Sequence, residues 1–286
     1  MIAVTGSTGH VGRLLAEELA RRGAPTRLLV RDPGRAPELP GAEVVRADYG
    51  DPDSVAAALN EGDRVFMVSL HEGPERRVPL HRSFVEAASA RGVAQIVYLS
   101  FVHAGPDAIF LHARSHGATE EMLRQSGVPW TSIRNSMYAD DIPGWFDAEG
   151  VAREPVGDSR ISFSYRPELA EAIAVVLTEP GYENRVYDIT GPEAVTVGEL
   201  AAAASEVAGA EYRYEPATRE EWEAKWRARG QDGWALEGGL TSFDAQVAGQ
   251  LDVVTDDFRR LAGRDPLAVR DVIARHVADM PLHPRR

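Results

Sequence analysis

Val4-Thr5-Gly6-Ser7-Thr8-Gly9-His10-Val11-Gly12 decides how the rest of this 286-residue chain reads. It follows a short apolar run, Ile2 to Val4, that reads as a first strand. It leads into a segment whose apolar residues Val11, Leu14, Leu15 and Leu19 fall on one helical face. A strand, a glycine-rich turn and a helix make a phosphate cradle: the glycines let the backbone turn tightly, and the helix N-terminus offers free N–H groups and a positive dipole end. Gly6, Ser7, Thr8, Gly9, His10 and Val11 are the candidate contacts to a dinucleotide. The alternative is a tight strand–helix turn that binds nothing; the strand before and the amphipathic helix after favour the dinucleotide.

Working outward, strands alternate with helices. Thr26 to Val30, Glu43 to Arg46, Arg64 to Leu70, Gln95 to Ser100 and Val128 to Arg134 read as successive strands. Helices lie between them, one starting at Asp51-Pro52 and one running from Ala113 to Ser126. Parallel strands need such crossovers, so the fold is α/β, a Rossmann-type doubly wound parallel sheet. Later come a strand Ile161 to Tyr165, a helix Glu168 to Leu177 and a strand Arg185 to Ile189. From Gly191 the pattern turns mostly helical, with helices expected over 197–207, 218–229, 243–262 and 266–277 and a short strand at 212–214. The division expected is a nucleotide-binding domain, 1–190, and a smaller C-terminal substrate lobe, 191–286. The irregular stretch 135–160 contributes to the cleft between them. Its Met137, Tyr138, Ile142, Trp145 and Phe146 either line that cleft or pack beneath the loop. Trp222 and Trp226, one helical turn apart, read as lobe core.

Composition removes several function classes. There is no cysteine, which excludes disulfides and thiolate chemistry. The net charge of −13 argues against a nucleic-acid or anionic-membrane partner. No apolar run is long enough to cross a bilayer and no targeting segment precedes the first strand, so a cytoplasmic location is expected. A homodimer is compatible with the sequence. Lys225 is the only lysine.

The opening TGSTGHVG, LVRDP after the second strand, VFMVS and IVYLSF at the fourth and fifth strands, and the stretch His116 to Tyr138 (HGATEEMLRQSGVPWTSIRNSMY) together resemble the atypical short-chain dehydrogenase/reductases. The branch is the NmrA-like, quinone-oxidoreductase type. The likeness covers residues 1–190 well and the rest only in its helical character. It implies an NAD(P)-dependent oxidoreductase. Two rules conflict over the cofactor. Asp32 stands about 20 residues beyond the last glycine, where a ribose-binding acid would sit. Arg31 directly follows the strand, and an arginine there looks like the branch's clamp for the NADP 2′-phosphate. A guanidinium binds that phosphate bidentately. NADP is favoured, with NAD the alternative. If NADP is right, Asp32 must turn away or pair with an arginine such as Arg35. By resemblance Asp48 and Tyr49 flank the adenine, while Ser69 and Leu70 lie near the pyrophosphate and nicotinamide ribose.

Standard short-chain reductases pair a tyrosine with a lysine four residues on. None of the eight tyrosines here has that lysine. In its place stand His112 and His116, four apart on one helical face. One can donate a proton or hydrogen bond near neutral pH, and the other can hold the nicotinamide ribose. They also fit half of a metal site, for which no third ligand is visible, or plain surface positions. No metal is expected. Tyr138 is a further donor. Ser100 joins the cofactor set, with His116. Phe101, Val102, His103, Asn135, Met137, Tyr138 and Trp145 are expected to line the substrate. A quinone or other conjugated carbonyl suits a site without the tyrosine–lysine pair, because its reduced oxygen is a stabilised anion. The function expected is therefore NADPH-dependent reduction of a small quinone-like or aromatic substrate. The alternatives are a non-catalytic NADP-sensing regulator of the NmrA-like kind and an NAD(P)-using epimerase or isomerase.

Overall fold

The computed structural model describes residues 1–282. β1 (Ile2–Thr5) enters the phosphate turn, and α1 (His10–Arg21) carries the chain back to β2 (Thr26–Val30). β3 (Ala42–Arg46), α2 (Pro52–Ala58), β4 (Arg64–Met67), α3 (Pro74–Ala90), β5 (Gln95–Phe101), α4 (Leu111–Gln125) and β6 (Trp130–Asn135) follow. β7 (Met137–Tyr138), β8 (Val151–Ala152) and β9 (Ile161–Ser164) are short. Next come α5 (Arg166–Thr178), β10 (Arg185–Ile189), β11 (Ala194–Val195), α6 (Val197–Ala208), β12 (Arg213–Tyr214), α7 (Arg219–Ala228), α8 (Gly233–Val247), α9 (Asp257–Ala262) and α10 (Val269–Arg275).

Seven strands form one parallel sheet in the order β10-β6-β5-β4-β1-β2-β3. Every residue of β1, β2 and β5 is buried, as strands covered on both faces must be. α1 and α5 cover one face, burying Leu15, Leu19, Leu169 and Ile173 against Val4, Phe66, Val97 and Ile133. On the other face Phe84, Val85 and Leu123 pack on Val65, Ile96 and Tyr98. The strand order reverses between β1 and β4, and at such a switch point the carboxyl ends of the strands open a ligand crevice.

The chain departs from the expected elements in informative places. β4 stops at Met67 because Val68 donates its N–H to Thr5 Oγ1 (2.9 Å) and accepts at its carbonyl from Tyr49 Oη (3.0 Å), leaving the ladder. The helix expected over 243–262 is broken. α8 ends at Val247, Gly249 turns the chain at φ 78°, and residues 250–256 spend their backbone on neighbouring strands. Ser162 N donates to Leu251 O (2.9 Å), and Thr190 Oγ1 accepts from Thr255 N (3.1 Å). α8 also starts ten residues early, straight through Gly238 and Gly239. A Cβ on Gly238 would sit 2.8 Å from His112 Nε2, and one on Gly239 would sit 2.5 Å from the Trp222 ring. Those glycines permit close packing rather than a turn.

The lobe core gathers Ile142, Phe146, Phe163, Val197, Leu200, Tyr212, Val272 and Ile273, so residues 139–163 pack with the last third of the chain. α9 runs the other way and returns Phe258 and Leu261 to the core under α5. Capping boxes start α6 (Thr196, Glu199) and α7 (Thr218, Glu221).

Candidate functional site

Two connected hollows of about 480 and about 430 Å³ lie along the carboxyl ends of β1, β2, β4 and β5, sharing Gly6, Val68, Leu70 and His71. The first hollow is built from the phosphate turn, Arg31, Asp48, Tyr49, Leu70 and Arg76. The turn itself is made of main chain. Gly6 adopts φ 69°, where a Cβ would strike Val68 at 2.6 Å, and Gly9 N donates to Gly6 O (2.9 Å). A Cβ on Gly12 would lie 2.3 Å from Gly6 O, so only glycine lets α1 approach this closely. Gly9, the N-cap, has no side chain to occupy the first-turn N–H groups of α1. An anion can therefore take them.

Several expected contacts are placed differently in detail. Gly6, Gly9, His10 and Val11 line the second hollow, and Thr8 the first. Ser7 lines neither; its hydroxyl is buried beneath the turn without a partner, as is that of Ser69. Tyr49 borders the first hollow, but its hydroxyl is taken by Thr5 (3.0 Å) and Val68 O, and its ring stacks on Phe84 at 4.5 Å. Arg31 is exposed at the mouth. Asp32 turns away: its carboxylate caps the following turn by accepting from Gly34 N (3.0 Å). The conflict at the end of β2 is thereby relieved without Arg35.

The second hollow has apolar walls of Leu99, Phe101, Phe110 and Met137, with Asn135 and Tyr138 beside them. His112 and His116 both face it, as α4 begins one turn above the exit of β5. Neither is a surface position. Burial, with Arg77 close by, pushes His112 down to about 4 and His116 well below the ordinary imidazole range. Burial thus favours the neutral form of both rings near neutral pH, a form that can donate or accept a hydrogen bond. For His116 the tautomer follows. Burial raises the Tyr98 phenol to about 12, so it keeps its proton, and its partner is His116 Nδ1 at 2.9 Å. Donation from the phenol to Nδ1 leaves the N–H on Nε2. Among the described residues no group of three or more His, Cys, Asp or Glu side chains stands close enough together to hold a metal ion.

Four more expected residues fall elsewhere. Ser100 points to the opposite face of β5 and donates to Glu120 Oε1 (2.7 Å), fully buried. Val102 is buried in the lobe core. His103 takes φ 56° in the turn after β5 and is exposed, away from the hollow. Alternation along a strand puts Leu99 and Phe101 on the open side and Ser100 on the other. Trp145 lines a separate cavity of about 420 Å³ in the lobe, with Trp222, Trp226 and Phe243; Met137 borders both. The stacked pair Trp222–Trp226 (4.4 Å) is core on one side and cavity wall on the other.

Sequence reading missed four side chains. Arg166 lies over the Tyr138 ring at 3.9 Å and is held by Asp140 and Asp141. His81 accepts from Leu70 N at Nε2 (3.2 Å) and so donates from Nδ1 to Thr119 Oγ1 (2.9 Å), fixing the segment after β4. Trp234 of α8 packs edge-on against His71 (5.1 Å) and His112 (5.6 Å), closing the lobe onto the hollow. Arg77 lines the hollow while only 3% exposed. The run of two arginines at the start of α3 gave no signal to separate buried Arg77 from exposed Arg76.

The family model that matches residues 6–180 is described as NAD(P)H-binding. The chain is 34% identical, over 96% of its length and 98% of the relative's, to (4-alkanoyl-5-oxo-2,5-dihydrofuran-3-yl)methyl phosphate reductase of Streptomyces griseus. It is 32% identical to quinone oxidoreductase 2 of Escherichia coli, over 92% of each chain. The E. coli NADPH-dependent quinone oxidoreductase solved with NADPH superposes with a TM-score of 0.87 at 30% identity, covering 97% of this chain and 99% of that one. A Citrobacter triphenylmethane reductase solved with NADP(H) gives 0.87 at 28% identity, covering 96% and 99%.

Proposed function

Because the chain belongs to the NAD(P)H-binding family and is an NAD(P)H-dependent oxidoreductase of the NmrA-like, quinone-oxidoreductase type that uses NADP, we propose that it reduces a quinone or another conjugated carbonyl held in the second hollow. The observation that carries this reading is the make-up of that hollow: apolar walls, two neutral imidazoles and no tyrosine–lysine pair. A simple ketone needs a strong proton donor as its alkoxide forms. A conjugated acceptor ends as a delocalised oxyanion that a neutral N–H can hold. The names of the Streptomyces and E. coli relatives, an unsaturated oxo-ring phosphate reductase and a quinone oxidoreductase, agree with this class.

The residues present suit NADP. The uncapped N-terminus of α1 and the glycines Gly6, Gly9 and Gly12 take the pyrophosphate, and Arg31 takes the 2′-phosphate with Asp32 turned away. Asp48, Tyr49 and Leu70 border the adenosine side, and Ser69 and His116 the nicotinamide ribose. When bound, the reduced cofactor supplies a hydride. The chain's own part is to exclude water with Phe101, Phe110, Met137 and Trp234, and to offer hydrogen bonds from His116 Nε2 and from the Tyr138 phenol, which burial raises to about 12 and keeps protonated. Asn135 and His112 complete the wall.

The test is NADPH oxidation followed at the nicotinamide band with a panel of benzoquinone, menadione, an unsaturated lactone and simple ketones. Oxidation driven by the conjugated members and not by the ketones is the expected result. NADPH binding with no turnover on any conjugated member would overturn it.

A further inference from the structure

Arg77 is the one group in the second hollow whose presence the packing does not account for. Its side chain is buried, and among the described residues it makes no ion pair. Nη1 donates to Ser115 Oγ (3.0 Å), which itself donates to His112 O (2.8 Å), and Nε has no partner at all. Neither of the nearest carboxylates in sequence, Glu75 and Glu72, pairs with Arg77; Glu72 pairs with Arg76 instead. The groups facing Arg77 from α3, α4 and β5 are His81, His112, His116 and Tyr98, all neutral. Arg77 itself is held below its ordinary value by burial. The inner end of the hollow therefore carries a positive charge with no ion-pair partner among the described residues; the Glu72 carboxylate acts on it only from beyond ion-pair distance. A buried charge without a counterion is costly, and a well-packed apolar side chain would replace it at no loss. Such violations collect at functional sites.

We infer that Arg77 is an oxyanion site: it holds the oxygen of the substrate on which negative charge comes to rest during reduction. The inference rests on the reading of the protein as a reductase of conjugated carbonyls. The cofactor's phosphates have their own ligands at the other end of the cleft, in the α1 turn and Arg31. The acceptor gains a hydride, two electrons and a proton, from a reduced nicotinamide. In an unsaturated carbonyl the new C–H bond forms at the β-carbon, the double-bond pair moves between the α-carbon and the carbonyl carbon, and the carbonyl pair moves onto oxygen as an enolate. In a quinone one oxygen takes the hydride and the other is left as a phenolate. A proton from water completes the reduction in both. Arg77 is present from the start, fixed by Ser115, so its field needs no reorganisation as the charge appears. It supplies what the absent tyrosine–lysine pair supplies elsewhere.

A phenolate is a stable likeness of that product. We would titrate the NADP⁺-loaded protein with 4-nitrophenol, whose phenolate absorbs apart from the phenol, at a pH below its own pKa. The wild type should bind it as phenolate, lowering the pKa of the bound phenol by about one unit, a tenfold preference. Arg77→Met should abolish the preference, lower kcat about a hundredfold with little change in KM, and leave the melting temperature equal or higher. Arg77→Lys should retain part of the preference. Binding of 4-nitrophenol only as the neutral phenol, no binding by the wild type, or an unchanged kcat in Arg77→Met would each overturn the inference. So would a large stability loss in Arg77→Met with the phenolate preference intact, which marks a structural arginine. A wild type that enriches the phenolate yet oxidises NADPH with none of the conjugated acceptors would leave the anion site standing and remove the reductase reading alone.

Discussion

The phosphate turn and the histidine wall of the cleft are made of different materials. Around Gly6 to Gly12 the walls are backbone: a left-handed glycine, a bare helix N-terminus and a contact only glycine allows. Around His112 and His116 the walls are side chains drawn from α3, α4, β5, β7 and α8 and locked by a buried network. A backbone site tolerates almost no change in shape and owes that shape to no side chain. A side-chain site can be retuned one residue at a time, and its chemistry depends on who is charged. The difference separates what main-chain shape can fix, a cradle for an anion, from what side-chain electrostatics can fix at the substrate side proposed above.

Gly12→Ala attacks the backbone turn directly. With a Cβ forced to 2.3 Å from Gly6 O, the helix and turn cannot both stay in place. NADPH affinity should fall by at least about a hundredfold, with a loss of about 3 kcal/mol in stability. Fluorescence titration and urea denaturation would read both, and an alanine variant that binds normally would break the distinction. The side-chain hollow should answer instead to acid. Burial, then Arg77, holds His81 at about 3; burial also leads in lowering His112 to about 4 and His116 further. In the unfolded chain each returns to about 6.5. The unfolded state then binds more protons, so the stability is complete above about pH 6.5 and is lost as the pH falls. The loss is about 2 kcal/mol per histidine between pH 7 and pH 5. Denaturation midpoints across that range measure it, and a flat profile would contradict neutral burial. Arg31→Ala gives the smallest effect, because the residue is exposed. NADPH affinity should drop about tenfold with NADH unaffected. Equal losses for both would remove the 2′-phosphate assignment.

The same contrast explains what the sequence could disclose. The phosphate turn is local, and its glycine spacing and flanking periodicity are visible in nine residues. The parallel sheet is visible too, because buried strands such as Gln95 to Phe101 are apolar throughout. Arg77 is invisible by the same logic: Arg76 and Arg77 are neighbours in sequence, yet about 100° of helical rotation puts one in water and one in the cleft. Ser100 and Val102 were expected at the site because they follow a strand, and the side they face depends on α4 and on the lobe. The helix forecast over 243–262 failed where Leu251 and Thr255 bond to β9 and β10 residues far away in the chain. The early start of α8 was equally hidden, because nothing local shows His112 and Trp222 lying against Gly238 and Gly239.

Asp32 and Arg31 stand side by side at the end of β2, one suited to each nicotinamide dinucleotide, and a single amide settles the matter. Gly34 N–H donates to Asp32 Oδ1 and so holds the carboxylate within the turn. An evolutionary path between the two cofactors therefore need not exchange a charge at all. It can run through the length of the Asp32-Pro33-Gly34 turn, where one inserted or deleted residue frees or silences an acid that was there from the beginning.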